Sequence, residues 1–412
     1  MLRSVNVGNR SLSDYHSIIS RDLMAEIKEL AEPLKGKRVC HINATSFGGG
    51  VAEILYCLVP LMNDVGLESD WLVMFGKDEF FNVTKAMHNT LQGDPREITP
   101  DEQQTFERYN VLNAGGLVNE YDYIIIHDGQ PAGIRAHAQV NSDAKWIWRC
   151  HIDLSTPNPQ VLDWLFPKYI ADYDLSVFHM AQYIPPGGVA PNPVVMPPAI
   201  DALAPKNMAL SGEDAAYIVD QFGLDVERPM LLQVSRFDPW KDPLGVIDAY
   251  RIVKKQHPGV QLALVGSMAT DDPEGMEYYE RTLAHADGDP DIYILSNLDN
   301  VGGVEVNAFQ IHADVVLQKS IKEGFGLTVT EALWKGRPTI AGNVGGIPLQ
   351  IVDGETGYLV SSVEECADRI LRVLDDPDAA GEMARRGKQY VRHDFLMPRL
   401  LRDWLGIFTQ LA

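Results

Sequence analysis

The segment SIKEGFGLTVTEALWKG, residues 320–336, combines a charged residue, two glycines and a helical pattern. Glu323 directly precedes Gly324 and Gly326, and Glu331 follows eight positions after Glu323, inside the predicted helix. Glycines at a helix start let backbone amides approach a phosphate or a sugar closely, and a carboxylate one or two turns later can reach the same ligand. The segment therefore predicts a binding site for a ligand rich in hydroxyl groups.

Short apolar runs recur on both sides of this segment and alternate with amphipathic stretches of helical length. Runs of Val, Ile and Leu in this arrangement are typical of buried parallel strands joined by helices. The rhythm stops at a proline-rich stretch, residues 191–198, and then restarts, which predicts two separate open α/β sheets. The predicted strands are 38–43, 71–75, 123–127, 145–149, 175–178 and 194–196, then 230–234, 261–265, 292–295, 315–317, 339–341 and 358–360.

The break near residue 200 predicts two domains, 1–198 and 199–395. Ligands of open α/β sheets bind beyond the carboxyl ends of the strands, and two facing sheets would place those ends on each side of one cleft. The last amphipathic segment, 397–410, suits either completion of the second domain or packing on the first. Spacing alone does not choose between these two positions.

Composition excludes several classes of function. The chain has 412 residues, with 35 basic and 57 acidic side chains and a net charge of −22, so nucleic acid and anionic membranes are poor partners. No apolar stretch reaches the length of a membrane span or a signal peptide. The cysteines are scattered and lack a CxxC pair, which favours buried reduced thiols and a cytoplasmic location. They are Cys40, Cys57, Cys150 and Cys366.

A second glycine turn, Gly48, Gly49 and Gly50, follows the first predicted strand and precedes a helical pattern. A strand, a glycine turn and an immediate helix form an anion site from the free N–H groups of the helix end. The pattern is neither GxGxxG nor a P-loop, so classical dinucleotide binding is disfavoured. A simple tight turn is the structural alternative.

Polar side chains close two later predicted strands, 123–127 and 145–149, with His127, Asp128 and Gln130 at one and His151 and Asp153 at the other. Such groups at a sheet edge can bind sugar hydroxyls. A histidine that only satisfies its own structural hydrogen bonds is the alternative at His151. The chain has no GxSxG elbow, which argues against a Ser-His-Asp hydrolase.

Arg236 and Lys241 leave a predicted strand of the second domain on one loop. A guanidinium beside an ammonium can hold a pyrophosphate and stabilise its charge while a bond breaks. A solvated surface loop is the alternative, and the Glu323 segment favours the binding role. Acidic pairs such as Asp172 with Asp174 are expected by chance among 57 acidic residues, so we predict no metal site.

These motifs together resemble the signature of the retaining nucleotide-sugar glycosyltransferases of family 4. The stretches HINATSFGGGVAEIL, HDGQPAG, WRCHIDLSTPNP, QVSRFDPWKDP and DNVGGVEVNAFQ are further similar to those of trehalose glycosyltransferring synthases and their phosphorylase relatives, over essentially the whole chain. The resemblance implies a GT-B fold: two Rossmann-like domains facing across a cleft, with a C-terminal helix, 396–412, returning to the first domain.

The resemblance also implies roles for the residues named above. Arg236 and Lys241 would hold the donor diphosphate, and Glu331 would hold the ribose hydroxyls. Glu323, with the amides of Gly324, Phe325, Gly326 and Leu327, would hold the donor glucose, and His151 would contact the same sugar near its reacting end. The loop of Gly48, Gly49 and Gly50 would close over the phosphate, with Asp128, Gln130 and Asp153 on the acceptor side.

The implied activity is a reversible, retaining transfer of glucose from UDP-, ADP- or GDP-glucose to free glucose, giving α,α-trehalose. Alternatives are a trehalose phosphorylase that uses inorganic phosphate, a family 4 enzyme with another acceptor, an epimerase, and a catalytically silent sugar-nucleotide sensor. We expect a cytoplasmic homodimer without a tightly bound cofactor, in which Mg²⁺ at most stimulates the reaction.

Overall fold

The computed structural model describes residues 1–47, 49–118, 120–139, 143–267 and 273–412. The chain forms two compact units, each with its own sheet and core. Unit 1 consists of Met1–Ala199 together with Met397–Ala412, and unit 2 consists of Ile200–Leu396. None of the helices in the described ranges is long and apolar enough to cross a membrane.

Unit 1 contains a sheet in which seven strands pair within the described residues, in the order β1-β3-β2-β4-β5-β6-β7. All the neighbouring strands are parallel except β1, which pairs antiparallel with β3 at one edge. Parallel strands end at the same edge of a sheet, so residues that follow them collect there. The strands are β1 (Arg3–Ser4), β2 (Arg38–Asn43), β3 (Glu68–Val73), β4 (Tyr123–His127), β5 (Lys145–Arg149), β6 (Leu175–Phe178) and β7 (Pro193–Val195).

The helices of unit 1 cover the sheet with apolar faces, and most begin at a side-chain cap or an acidic first turn. Thr99 caps α4 in a capping box with Glu102, which satisfies two of the free N–H groups at that helix start. The helices are α1 (Arg21–Ala31), α2 (Gly50–Asp64), α3 (Asp78–Leu91), α4 (Pro100–Ala114), α5 (Ile134–His137), α6 (Pro159–Leu165) and the C-terminal α14 (Met397–Leu411).

The C-terminal helix α14 packs against α1 and α2 of unit 1, which confirms the predicted return to the first domain. Trp404 and Phe408 are buried there, with ring centroids 5.7 Å apart. The Tyr123 hydroxyl of β4 donates to the Phe408 carbonyl at 3.0 Å, and the two rings stack at 4.5 Å. The last helix therefore completes the core of the unit that begins the chain.

Unit 2 contains a second parallel sheet, in the order β10-β9-β8-β11-β12-β13. Its strands are β8 (Met230–Val234), β9 (Gln261–Gly266), β10 (Ile292–Ser296), β11 (Val315–Gln318), β12 (Thr339–Gly342) and β13 (Tyr358–Val360). Its helices are α7 (Gly212–Asp220), α8 (Pro243–Lys254), α9 (Pro273–Ala286), α10 (Gly303–His312), α11 (Leu327–Trp334), α12 (Val363–Asp375) and α13 (Pro377–Asp394).

The predicted strands are present at the predicted places, most with boundaries within one residue, and one boundary prediction is wrong by more than that. The apolar run 71–75 belongs to β3, but that strand begins at Glu68 and ends at Val73. Its buried residues, Ser69 and Trp71, alternate with the exposed Glu68 and the partly buried Asp70, so a search for continuous apolar runs overlooks its first half. The edge strand β1 was not predicted, because two residues provide no periodicity. The predicted buried thiols are confirmed, since Cys40, Cys57, Cys150 and Cys366 are buried and are not joined in disulfides.

Trp404 tests whether α14 is part of the core of unit 1. Trp404→Ala removes a side chain that is 2% exposed and that meets the His41 ring edge-on at 6.1 Å. We expect a loss of about 3–5 kcal/mol in the free energy of unfolding, measured by urea denaturation. Gln410→Ala, on the exposed side of the same helix, is the control and should cost less than about 0.5 kcal/mol. Equal effects of the two variants would contradict the packing of α14.

Candidate active site

The Lys241 ammonium and the Glu323 carboxylate form a short ion pair in unit 2, with Nζ 2.5 Å from Oε2. Lys241 ends a short 3₁₀ turn, Pro239–Lys241, on the loop after β8, and Glu323 lies on the loop after β11. These strands are neighbours in the sheet, which explains how residues 82 positions apart meet. Ser320 Oγ also donates to Glu323 Oε2 at 3.2 Å. The side chains are only 16% and 10% exposed, so the pair is shielded but reachable.

A second ion pair fixes the loop that carries Lys241. Asp242 has a left-handed backbone with φ of 50°, and its carboxylate accepts from the Gly245 N–H at the start of α8. The buried Lys319 ammonium contacts the same carboxylate. The Gln233 amide, at the end of β8, donates to the Lys241 carbonyl at 3.1 Å. These contacts hold the backbone of Lys241 in place, while its ammonium pairs with Glu323.

The glycine segment after Glu323 begins a helix, as the sequence predicts. Gly326 adopts φ of 81° and is the N-cap of α11, whose first residue is Leu327. No described side chain caps this helix start, and the Val329 N–H donates to the Gly326 carbonyl at 2.9 Å, which leaves the N–H groups of Leu327 and Thr328 at the uncapped end. The Gly324 carbonyl accepts from the Gly346 N–H at 3.2 Å, and the Gln350 amide donates to the Phe325 carbonyl. The segment is thus tied down by its carbonyls.

Glu331 lies inside α11, 1% exposed, and its carboxylate Oε1 is 2.6 Å from the Lys206 ammonium. Lys335, one turn later, donates to the Asn207 side chain at 2.9 Å. Burial lowers the pKa of the Lys335 ammonium to about 7, while the nearby Glu331 carboxylate raises it. Glu331, the predicted partner of the ribose hydroxyls, therefore already belongs to a buried cluster of charged side chains that the sequence motif did not indicate.

Arg236 differs from Lys241 in exposure. Its side chain is 66% exposed and lies 3.4 Å from the Asp238 carboxylate. Asp238 also accepts from the Trp240 N–H at 2.7 Å, at the start of the turn that ends with Lys241. An exposed guanidinium on this loop is free to turn toward a phosphate.

In unit 1, Asp128 follows β4 and organises the carboxyl edge of the sheet. Its backbone has φ of 62°, and its carboxylate accepts a hydrogen bond from the backbone N–H of His151 at 2.7 Å. The Trp148 indole donates to its carbonyl at 2.8 Å. Burial raises the pKa of the Asp128 carboxyl to about 7, although the backbone N–H of His151 and the charge of Arg149 each lower it. This carboxyl group can therefore gain or lose a proton near neutral pH.

Arg149, the last residue of β5, is 2% exposed. Its Nη1 donates to the Phe178 carbonyl at 3.4 Å. Burial lowers the pKa of the guanidinium to about 9, and the nearby Arg399 charge lowers it further. A buried cation thus lies next to the residues that follow β4, β5 and β6.

Both ring nitrogens of His151 contact other histidines. Nε2 is 2.9 Å from Nδ1 of His127, and Nδ1 is 3.3 Å from Nε2 of His179. His127 Nε2 is in turn 3.1 Å from Nδ1 of His41. Burial lowers the pKa of all four imidazoles, that of His41 to about 3. His151 is therefore a neutral ring with two hydrogen-bonded neighbours.

The other predicted residues of unit 1 lie on the loops at the same edge. Gly49 is the N-cap of α2, with φ of 158°, and Gly50 is its first residue, whereas Gly48 lies outside the described residues. Asp153 accepts from the Ser155 N–H at 2.8 Å. The carbonyl of Gln130 accepts from the Asn110 amide at 3.2 Å.

His127 was noted at the end of its strand, whereas two histidines and two lysines of these clusters were not predicted. His41 lies within a buried strand, His127 ends β4 and His179 follows β6. A count of histidines per strand would have found the row, because each comes from a neighbouring strand. Lys206 and Lys335 carry no comparable sequence signal, since their positions near Glu331 depend on tertiary packing.

Comparison with known proteins agrees with this geometry. Residues 216–393 match the family described as glycosyl transferases group 1, and residues 41–185 match the family described as trehalose synthase, N-terminal domain. Two parallel-sheet units with a glycine helix start and a lysine–glutamate pair thus define a GT-B glycosyltransferase. The chain belongs to the trehalose synthase family. The trehalose synthase of Rubrobacter xylanophilus is 59% identical over 415 residues, covering 100% of this chain and 99% of that protein.

More distant proteins share the fold or part of the sequence. The trehalose phosphorylase of Grifola frondosa is 27% identical and covers 92% of this chain, which spans 58% of that longer protein. The structure of an α,α-trehalose-phosphate synthase (UDP-forming) from Burkholderia xenovorans, in complex with glucose-6-phosphate, superposes with a TM-score of 0.71 at 15% identity. That superposition covers 91% of this chain and 100% of the other.

The His41 imidazole predicts a defined acid sensitivity. An unfolded imidazole takes up a proton below about pH 6.5, whereas the folded His41 ring, whose burial lowers its pKa to about 3, stays neutral. Its contribution to stability is complete above pH 6.5 and is lost as the pH falls toward 3, with about 2 kcal/mol lost at pH 5. We expect His41→Gln to reduce the difference in unfolding free energy between pH 7 and pH 5 by about that amount.

Urea denaturation at pH 7 and pH 5 measures this difference in unfolding free energy. A loss of stability that is equal at both pH values cancels in the difference. His393→Gln is the matched control, because the His393 side chain is 86% exposed. A pH dependence in His41→Gln equal to that of the unsubstituted protein would show that His41 takes up its proton equally in both states.

Proposed function

We propose that this protein is a retaining glucosyltransferase that makes α,α-trehalose reversibly from a nucleotide-diphosphate glucose and free glucose. The proposal is supported by the family and carried by one observation, the 2.5 Å pair of Lys241 and Glu323 beside the start of α11. A cation suits the departing diphosphate, and the adjacent carboxylate and helix N–H groups suit sugar hydroxyls and phosphate.

The reaction breaks the bond between the anomeric carbon and the diphosphate oxygen, and the acceptor hydroxyl forms a new bond on the same face of the sugar. The hydroxyl proton passes to an oxygen of the departing diphosphate. No covalent intermediate with the enzyme is needed, so the main task of the protein is to stabilise the leaving charge. We assign that task to Lys241, with Arg236 turning in from the same loop.

Ligand binding then exchanges partners within the site. The diphosphate attracts the Lys241 ammonium, and Glu323, still held by Ser320, accepts hydrogen bonds from the donor glucose. The N–H groups of the segment Gly324 to Leu327 bind the same donor, and Glu331 shares its carboxylate between Lys206 and the ribose hydroxyls. We propose that His151 contacts the donor sugar, that Gly49 and Gly50 contribute to binding of the phosphate, and that Asp128, Gln130 and Asp153 bind the acceptor.

The main rival is a phosphorylase in which inorganic phosphate replaces the nucleotide, and the Grifola frondosa relative favours keeping it as a candidate. Incubation with trehalose and either UDP, ADP, GDP or phosphate separates the two activities. We expect nucleotide-glucose with at least one nucleotide and no glucose-1-phosphate with phosphate. Glucose-1-phosphate as the sole product would replace this proposal by the phosphorylase, and no product in any tube would refute both.

The proposal also covers the donor, the cofactor requirement and the cellular location of the reaction. We propose that UDP-, ADP- or GDP-glucose is the donor, that no tightly bound cofactor takes part, and that the reaction occurs in the cytoplasm. The four buried free thiols support a reducing compartment.

Lys241→Ala should reduce kcat by about 100-fold, because the charge that Lys241 neutralises develops mainly in the transition state. The KM for the glucose acceptor should change by less than about threefold, since Lys241 faces the donor in this scheme. Steady-state kinetics with the accepted nucleotide-glucose measure both parameters. Lys255→Ala, an exposed lysine of the same unit, is the matched control. Normal kcat in Lys241→Ala would remove Lys241 from the proposed mechanism.

A further inference from the structure

Four histidines from four adjacent parallel strands form one hydrogen-bonded row in unit 1. His41 lies in β2, His127 ends β4, His151 follows β5 and His179 follows β6, and these strands are consecutive in the sheet. The nitrogen separations along the row are 3.1, 2.9 and 3.3 Å. We call these residues the histidine row. It includes His151, the residue that we propose to contact the donor sugar.

The inner end of the row determines where every proton lies. His41 Nε2 is 3.5 Å from the Met62 sulfur, and a thioether only accepts hydrogen bonds. His41 therefore carries its proton on Nε2, which leaves Nδ1 to accept from His127 Nε2–H. A neutral imidazole has one donor and one acceptor nitrogen. Because His127 donates from Nε2, its Nδ1 accepts from the next ring, His151. His151 then donates from Nε2 to His127 and accepts at Nδ1 from His179.

The surroundings oppose any charge on these rings. His41, His127 and His179 are buried, and within the described residues no acidic side chain hydrogen-bonds to His41 or His127. The buried Arg149 cation lowers the pKa of His127, His151 and His179 further, after burial itself. A protonated ring would also need to donate from both nitrogens, which would place two N–H groups opposite each other at one contact.

A metal centre does not explain the row. In the described part of the chain, no group of three or more His, Cys, Asp or Glu side chains is arranged to hold a metal ion. The three contacts between rings instead each join one nitrogen to one nitrogen of the next ring, which is the geometry of a chain of hydrogen bonds. Ring stacking reinforces it, since the His127 and His151 rings lie nearly parallel, with centroids 5.2 Å apart.

We propose that His127, with His41 and Met62 behind it, is a positioning residue that holds His151 as a neutral Nε2–H imidazole, so that His151 meets a sugar hydroxyl only as an acceptor, through Nδ1. The contact of Nδ1 with His179 is the longest of the row, at 3.3 Å, so a hydroxyl donor can replace it at least cost. This role rests on the proposed function, and it excludes His151 as a proton donor in the reaction.

Nitrogen NMR of the full chain labelled with ¹⁵N-histidine tests the proton positions without any substrate. Long-range proton–nitrogen correlation distinguishes Nδ1–H, Nε2–H and charged rings, and single His→Gln variants assign the signals. We expect Nε2–H signals from all four rings of the row, unchanged between pH 6 and 8. An Nδ1–H or charged form of His151 would overturn the proposal even if the enzyme makes trehalose.

Met62→Leu tests the direction of the row with little change in volume. Loss of the sulfur acceptor should give His151 a mixture of both tautomers, and an equal mixture should halve kcat/KM. Met74→Leu is the matched control, because Met74 is also buried in unit 1 and makes none of the contacts described for the row. A single Nε2–H form of His151 in Met62→Leu would show that the sulfur does not set the direction.

Addition of UDP and trehalose tests the contact itself. We expect the His151 Nδ1 signal to move while remaining unprotonated, as for a nitrogen that accepts a stronger hydrogen bond. An unmoved signal in a protein that turns these substrates over would refute the acceptor role. If no nucleotide or phosphate supports turnover while the four tautomers are as expected, the proposed function fails and the positioning by His127 stands.

Discussion

Parallel strand pairing is the constraint on which both clusters depend. In unit 2, the pairing of β8 with β11 brings Lys241 to Glu323, although 82 positions of sequence separate them. In unit 1, the pairing of four neighbouring strands brings the histidine row together. Because parallel strands end at one edge, a short polar stretch after each strand suffices to build a site there. The sheets position these groups, and the loops supply the chemistry.

The carboxylates at the candidate site are already neutralised by lysines. Glu323 pairs with Lys241 and Glu331 pairs with Lys206, in both cases with little exposure. A buried carboxylate without a counter-charge is costly, so each pairing keeps the site stable when the ligand contacts are not made. In the proposed reaction, a diphosphate would offer Lys241 a stronger partner than Glu323 does, and sugar hydroxyls would then compensate Glu323. The same two residues can thus stabilise the fold and recognise the ligand.

Patterns of residues predicted the parts of the fold that local chemistry determines. Apolar runs located the parallel strands, and the glycines of the Glu323 segment located the start of α11 where Gly326 takes a left-handed backbone. The half-exposed β3 was placed too late because its buried residues alternate with exposed or partly buried ones. Lys206 and the contacts that link His151 to the other histidines escaped prediction because they join elements distant in sequence, which no local period records.

The charge next to the histidine row, that of the Arg149 cation, is opposite in sign to the net charge of the whole chain. A net charge of −22 would favour protonated imidazoles, yet burial and the Arg149 cation keep these rings neutral. Local desolvation wins because long-range attraction is screened by solvent, whereas the cost of a buried charge is not. Arg149 lies among groups whose pKa values are displaced in opposite directions, since burial raises that of Asp128 and lowers those of the histidines. Burial thus makes the Asp128 carboxyl easier to protonate than an ordinary carboxyl and makes the imidazoles harder to protonate.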